Sequence, residues 1–216
     1  MITLREWQKY HKHKQNIIIN ASAIDGSDFP QSFPIGMCYN YTTYEKLETQ
    51  LGSHDNLVFC GIREHTDQNR RNELNRSTIL KTLQSNGITN TFLSSEDYFT
   101  SLPSYKFVVS PEGNGIDCHR HYEALMAGCI PIVEYNPHIR SVYGNCPILY
   151  TKDYSEITPS YLNQKYTEMI DSKYDFSKLF LSSYPMSVKH VILKNSSFWT
   201  RGYVKSPTKN NKWGIN

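Results

Sequence analysis

Ser110-Pro-Glu-Gly-Asn-Gly-Ile-Asp-Cys-His-Arg-His-Tyr-Glu-Ala-Leu-Met-Ala-Gly-Cys-Ile-Pro-Ile-Val133 joins a glycine-containing loop, a polar helix start and an apolar strand without a break. Phe107 to Ser110 is a short, β-rich apolar run leading into it. Gly113-Asn-Gly115 can turn with φ > 0, and Asp117 to Ala127 has the make-up of a helix closed by Gly128. Ile130 to Val133 supplies the next strand, with Pro131 tolerated as a residue at the strand's start. Strand, loop, helix and strand in that order make a βαβ unit. The backbone N–H groups of its helix start face an anion above the sheet.

Arg120 and Glu123 stand three apart, so a cation and a carboxylate share one helical face near that opening. An arginine there can hold phosphate, and a carboxylate can accept the hydroxyls of a ribose. An intrahelical ion pair on a solvated face is the plainer alternative. The glycine loop directly upstream favours the functional reading.

The pattern Ser-Pro-x-Gly-Asn-Gly-x-Asp-x-x-Arg-x-x-Glu-Ala-Leu-x-x-Gly-Cys-Ile-Pro-Ile-Val, at Ser110 to Val133, resembles the donor-binding motif of exostosin-like glycosyltransferases. More loosely, it is similar to the nucleotide-sugar half of GT-B enzymes. The likeness is strong over the motif, moderate from about Asn56 to Tyr150, and fades on both sides. It implies a nucleoside diphosphate sugar as donor and a glycan or other hydroxyl as acceptor. No metal is implied, since the helix dipole and an arginine neutralise the leaving diphosphate. The expected donor-binding residues are Ser110, Glu112, Gly113, Asn114, Gly115, His119, Arg120 and Glu123, with Arg63 above the preceding strand as a second phosphate ligand. Ten residues lie between Glu112 and Glu123, which departs from the closer-spaced glutamate pair of retaining GT-B enzymes. Exostosin-like members invert, and inversion is the expectation here. Inversion needs a base, and the candidates are Asp25, Asp28 and Asp117, all with a competing role as turn or helix-capping residues.

The expected fold is α/β, a Rossmann-like parallel sheet with helices on both faces, resembling a reduced GT-B enzyme. Residues 1–55 read as a shortened N-terminal, acceptor-side segment, 56–204 as the nucleotide-sugar-binding domain and 205–216 as a disordered tail. Within the first part, 1–15 read as helical, 16–20 as a core strand, 21–34 as a loop, 35–40 as a short strand and 44–51 as a helix. The second part is expected to contain strands at 57–60, 91–93, 107–110, 130–133 and 147–150. Helices are expected at 67–85, 96–102, 159–171, 176–182 and 187–197, with Leu74, Ile79, Leu80 and Leu83 forming the buried side of the first.

The 216 residues carry 23 basic and 20 acidic side chains, a net charge of +3, which lacks the overall field of a nucleic-acid binder. The basic run from Arg5 to Lys14 reads as a solvated helix face or a frayed terminus. Five widely spaced cysteines without a C-x-x-C pair argue against a zinc site or a disulfide framework. His119 and His121 lack the i, i+4 spacing of a helical zinc pair, so no metal is expected. With neither a signal peptide nor a membrane-spanning run, the chain reads as a soluble, cytoplasmic protein. The Asn-x-Ser/Thr triplets at Asn20, Asn40, Asn75 and Asn195 then have no glycosylation role.

Two rival readings stand beside the enzyme. One is a non-catalytic nucleotide-sugar or glycan-binding half that needs a partner chain, kept alive by the short N-terminal part. The other, a dinucleotide-dependent oxidoreductase, requires G-x-G-x-x-G, and Asp117-Cys118 stands where its third glycine is sought. Donor sugar, nucleotide base and oligomeric state are left open by the sequence.

Overall fold

The computed structural model describes residues 1–10, 52–67, 74–113, 116, 118–177 and 185–187. Its centre is a four-stranded sheet of β2 (Asn56–Phe59), β3 (Tyr105–Val109), β4 (Ile130–Glu134) and β5 (Leu149–Thr151), parallel throughout and ordered β2-β3-β4-β5. A two-stranded antiparallel pair, β1 (Ile2–Thr3) with β6 (Lys173–Tyr174), accompanies it. The helices are α1 (Leu4–Tyr10), α2 (Arg76–Ser85), α3 (Ser95–Ser101), α4 (His119–Met126), α5 (Pro137–Tyr143) and α6 (Pro159–Met169). A 3-10 turn at Leu102–Ser104 leads from α3 into β3. This is the expected mixed α/β, Rossmann-like arrangement.

Period-two alternation along β3 explains why both sheet faces are covered. Phe107 and Val109 join the larger core, where Ile79 and Leu83 of α2 and Leu162 of α6 pack. Val108 faces the other way, into a smaller cluster with Phe59, Leu102, Ala124 and Ala127. Phe107, Val108 and Val109 are fully buried, each contributing roughly 1.5–3 kcal/mol of transfer free energy. Ala124 of α4 and Ala127 at its C-cap are small enough to let that helix lie close on the sheet, with its N-terminus at the carboxyl-end side of the parallel strands.

Pro131 occupies the second position of β4 rather than the first. Ser110 N donates to Ile132 O, so Ile132 turns its backbone polar groups toward β3 and Pro131 turns its own toward β5. Since β5 begins only at Leu149, opposite Ile132, the missing donor costs no ladder bond.

Several expected elements differ in extent. The helix expected from residue 67 starts at Arg76, because Asn75 accepts from Thr78 N with its side chain and caps the helix there. No strand forms at 91–93; Thr91 N makes one bond to Cys60 O, Phe92 is exposed, and the segment is pinned at the edge beside β2 by Asn90. Asn90 satisfies both backbone groups of Ile62 with its amide, which replaces a ladder. The elements expected at 16–20, 21–34, 35–40 and 44–51, most of those at 176–182 and 187–197, and the tail from 205, lie outside the described residues.

The N-terminus packs onto the same body. Leu4 and Trp7 are buried in the larger core, and Trp7 Nε1 donates to Leu125 O at 2.7 Å. Gln8 donates to Gly128 O, and Arg5 pairs with Asp171 on the surface. The start of the run read as a solvated basic face is therefore amphipathic, its apolar side seated against α4.

Candidate functional site

The carboxyl ends of β2, β3 and β4 open into three neighbouring features: the 61–67 connection, the loop that begins at Ser110, and Glu134. Helix α4 starts above them, with Cys118 as its N-cap residue. Asp117, whose competing role is to cap this helix, lies outside the described residues, together with Asp25, Asp28, Asn114 and Gly115. For His119 only the helical backbone is described.

Arg120 and Glu123 do come together, and a third residue stands between them. Tyr98 of α3 donates from its hydroxyl to Glu123 Oε2 at 2.7 Å, and Arg120 lies close enough to the same phenol to interact with it electrostatically. Burial pushes the Glu123 carboxyl above its usual range, opposed by the Tyr98 hydrogen bond and the Arg120 charge. Burial likewise drives the Tyr98 phenol well up, with the Glu123 carboxylate adding to it. Burial alone favours a neutral Arg120, but the neighbouring Tyr98, Glu123 and Cys118 outweigh that and hold its proton more firmly than usual. Arg120 is half-buried, and its Nε is buried with no hydrogen-bond partner among the described residues.

Ser110 is held differently. Its Oγ lies 2.7 Å from His121 Nδ1, and both residues are fully buried. His121 Nε2 faces the Ile116 carbonyl at 3.3 Å, which can only accept, so a neutral imidazole that keeps this contact carries its proton on Nε2 and accepts from the serine at Nδ1. Sealed in this way, the pair braces the end of β3 against α4.

Arg76, which the motif does not include, is heavily engaged. It is buried, and its Nε donates to Glu112 O at 2.9 Å, Nη2 to Pro111 O at 3.1 Å, and Nη1 to Thr66 Oγ1 and Arg63 O. Burial lowers its pKa from the ordinary arginine value. A Cβ at Gly113 would lie 3.0 Å from Arg76 Nη2, so close packing of this guanidinium is one reason for glycine there. Arg63 keeps its side chain exposed while its carbonyl is held by Arg76. Glu112 is buried, and its N–H donates to Glu134 Oε2 at 2.9 Å.

Arg76, Tyr98 and Glu134 are the residues that sequence reasoning missed. Glu134 carried a signal, an acid closing an apolar strand at its carboxyl end. Arg76 was hidden inside a helix expected to begin earlier, and Tyr98 among sixteen tyrosines.

Residues 62–184 match the family model described as the RXYLT1 C-terminal domain. The chain belongs to this family. The match covers more than half of the chain and includes the 61–67 connection from Ile62 on, Arg76, Tyr98, the whole Ser110–Val133 motif and Glu134. The RXYLT1 C-terminal domain is glycosyltransferase-related, which agrees with a cluster of polar side chains at the carboxyl ends of a parallel sheet. No curated protein matches the chain. Among the described residues, no group of three or more His, Cys, Asp or Glu side chains is arranged to hold a metal, and no helix is long and apolar enough to cross a membrane.

Proposed function

We propose that this chain binds a nucleoside diphosphate sugar at the carboxyl ends of β2, β3 and β4 and transfers the sugar to a hydroxyl acceptor, in the manner of an inverting, metal-independent, exostosin-like GT-B enzyme. The observation that carries the reading is the Arg120–Tyr98–Glu123 group beside the first turn of α4, with Arg120 Nε buried and without a hydrogen-bond partner among the described residues. A guanidinium with an unused donor offers charge-assisted hydrogen bonding to a diphosphate, and Glu123 retains acceptor capacity for ribose hydroxyls. Arg63, exposed on the adjacent connection, adds a second cation, and Glu112 is the proposed contact to the donor sugar.

In the proposed transfer the acceptor oxygen forms a bond to the anomeric carbon as the bond to the diphosphate oxygen breaks. The bonding electrons leave with the diphosphate, whose growing charge faces Arg120, and the acceptor proton passes to a base. Asp25, Asp28 and Asp117 are the proposed candidates for that base. Ser110, Gly113, Asn114, Gly115 and His119 complete the proposed donor loop, Ser110 acting through its bond to His121 rather than by direct contact.

A non-catalytic half that binds the nucleotide sugar for a partner chain is the second reading, favoured by a match to a family defined as a C-terminal domain. Calorimetric titration with UDP, GDP, dTDP, CMP, NAD and common nucleotide sugars tests both. Selective binding of one nucleoside diphosphate, weakened at least tenfold in Arg120→Ala, supports the donor site, a loss of about 1.4 kcal/mol. Binding of NAD in preference to every nucleoside diphosphate, or equal affinity in the variant, overturns it. Sugar transfer by the isolated chain eliminates the half-enzyme.

A further inference from the structure

We propose that Arg76 and Glu134 are positioning residues that set the conformation of the donor loop, an inference that rests on the reading of this cleft as a nucleotide-sugar site. The Pro111–Glu112 segment has its backbone satisfied by side chains from elsewhere in the fold. The two carbonyls, Pro111 O and Glu112 O, accept from the Arg76 guanidinium, and the amide between them, Glu112 N, donates to Glu134 Oε2. These partners come from opposite flanks, Arg76 from the start of α2 and Glu134 from the end of β4.

Both side chains are buried, and Glu134 is close enough to favour the charged form of Arg76. Holding two buried charges for the sake of one loop is costly unless every donor and acceptor is used. Arg76 comes close to that condition, with four of its five guanidinium N–H donors engaged: its remaining nitrogen reaches Thr66 Oγ1 and Arg63 O, and its own backbone N–H donates to Asp67 Oδ2 at 2.8 Å. One planar side chain therefore sets the loop after β3 against the connection after β2, which carries Arg63. A lysine cannot do this, because it lacks the fixed fork of donors. Neither residue need touch the donor; each acts through the backbone that lines the cleft, and a small displacement of such a loop is enough to degrade binding.

The test compares wild type, Arg76→Lys, Glu134→Ala and Glu134→Gln in the full chain, well below each melting temperature. Two quantities are read: affinity for the nucleoside diphosphate that the wild type selects, and exchange of the Glu112 amide against the β3 amides. The expected result is a loss of affinity of about tenfold or more in Arg76→Lys and Glu134→Ala. Faster exchange at Glu112 should accompany it, with β3 protection retained. Glutamine keeps an acceptor oxygen and should restore most of what alanine loses. Should Arg76→Lys fail to fold, the Glu134 pair carries the comparison. Unchanged affinity in folded Glu134→Ala, or unaltered Glu112 exchange, overturns the proposal. If the wild type binds no nucleoside diphosphate the donor reading falls by itself, and exchange at Glu112 still decides whether these residues hold the loop.

Discussion

Tyr98 Oη donates to Glu123 Oε2 at 2.7 Å, tying α3 to the motif helix through the carboxylate most exposed to the consequences of burial. The same phenol interacts with Arg120, so cation, phenol and carboxylate form one connected group. Tyr98→Phe removes the donor and leaves the carboxylate short of a partner. Truncating one partner of a buried hydrogen bond costs about 1–3 kcal/mol. We expect a lower melting temperature and a Glu123 carboxyl pushed further up, since the lost bond favours its charged form. Carbon-13 NMR of labelled glutamate side chains follows that titration; an unmoved or lowered Glu123 value refutes the coupling.

Because Glu123 is raised in the folded state, its ionisation works against folding. Between its ordinary carboxyl value and the raised folded one, the native chain holds more protons than the unfolded chain, so stability falls as pH rises. Glu123→Gln cannot ionise and escapes this dependence. Thermal melts of both proteins from acid to neutral pH should therefore show wild type losing ground to the variant through that window and holding a constant difference above it. A difference that is flat, or of opposite slope, rules the assignment out.

The strands and the motif helix were legible because their signals are local: an apolar run, a glycine loop, a capped helix and a second apolar run. Residues 91–93 have the same apolar look, yet Asn90 occupies the Ile62 backbone and leaves Phe92 exposed, so composition gave no warning. The Arg120–Glu123 pair followed from helical spacing. Arg76 and Glu134 could not be paired from sequence, since their common partner is a loop brought between them only by the sheet order.

Trp7 is fully seated against the motif helix, stacked on Phe176 at 4.1 Å between ring centroids and bonded to Leu125 O. Trp7→Ala removes both contacts and opens a cavity, a loss of about 3–5 kcal/mol. Urea unfolding should show a lower midpoint with destabilisation of that size. A change under 1 kcal/mol, well below that range, means that the N-terminal helix is dispensable to the core.

Gly128 ends the motif helix at φ +77°, a conformation that strains any residue with a Cβ. A Cβ placed there would also meet Gln8 Cγ at 2.9 Å and His54 Nε2 at 3.2 Å. Gln8 can swing away at the expense of its bond to Gly128 O, whereas His54 is fixed through Nδ1 to Tyr105 O. Gly128→Ala should therefore destabilise the chain by about 1–2 kcal/mol from backbone conformation alone, and a valine should do more. The displacement falls at the C-terminal end of α4, whose first turn carries Arg120, so affinity for the proposed donor should drop as well. Denaturant melts and nucleotide titration on the same protein separate the two effects. A valine variant of wild-type stability shows that the turn relaxes freely, and one that is destabilised yet binds with full affinity shows that α4 keeps its aim.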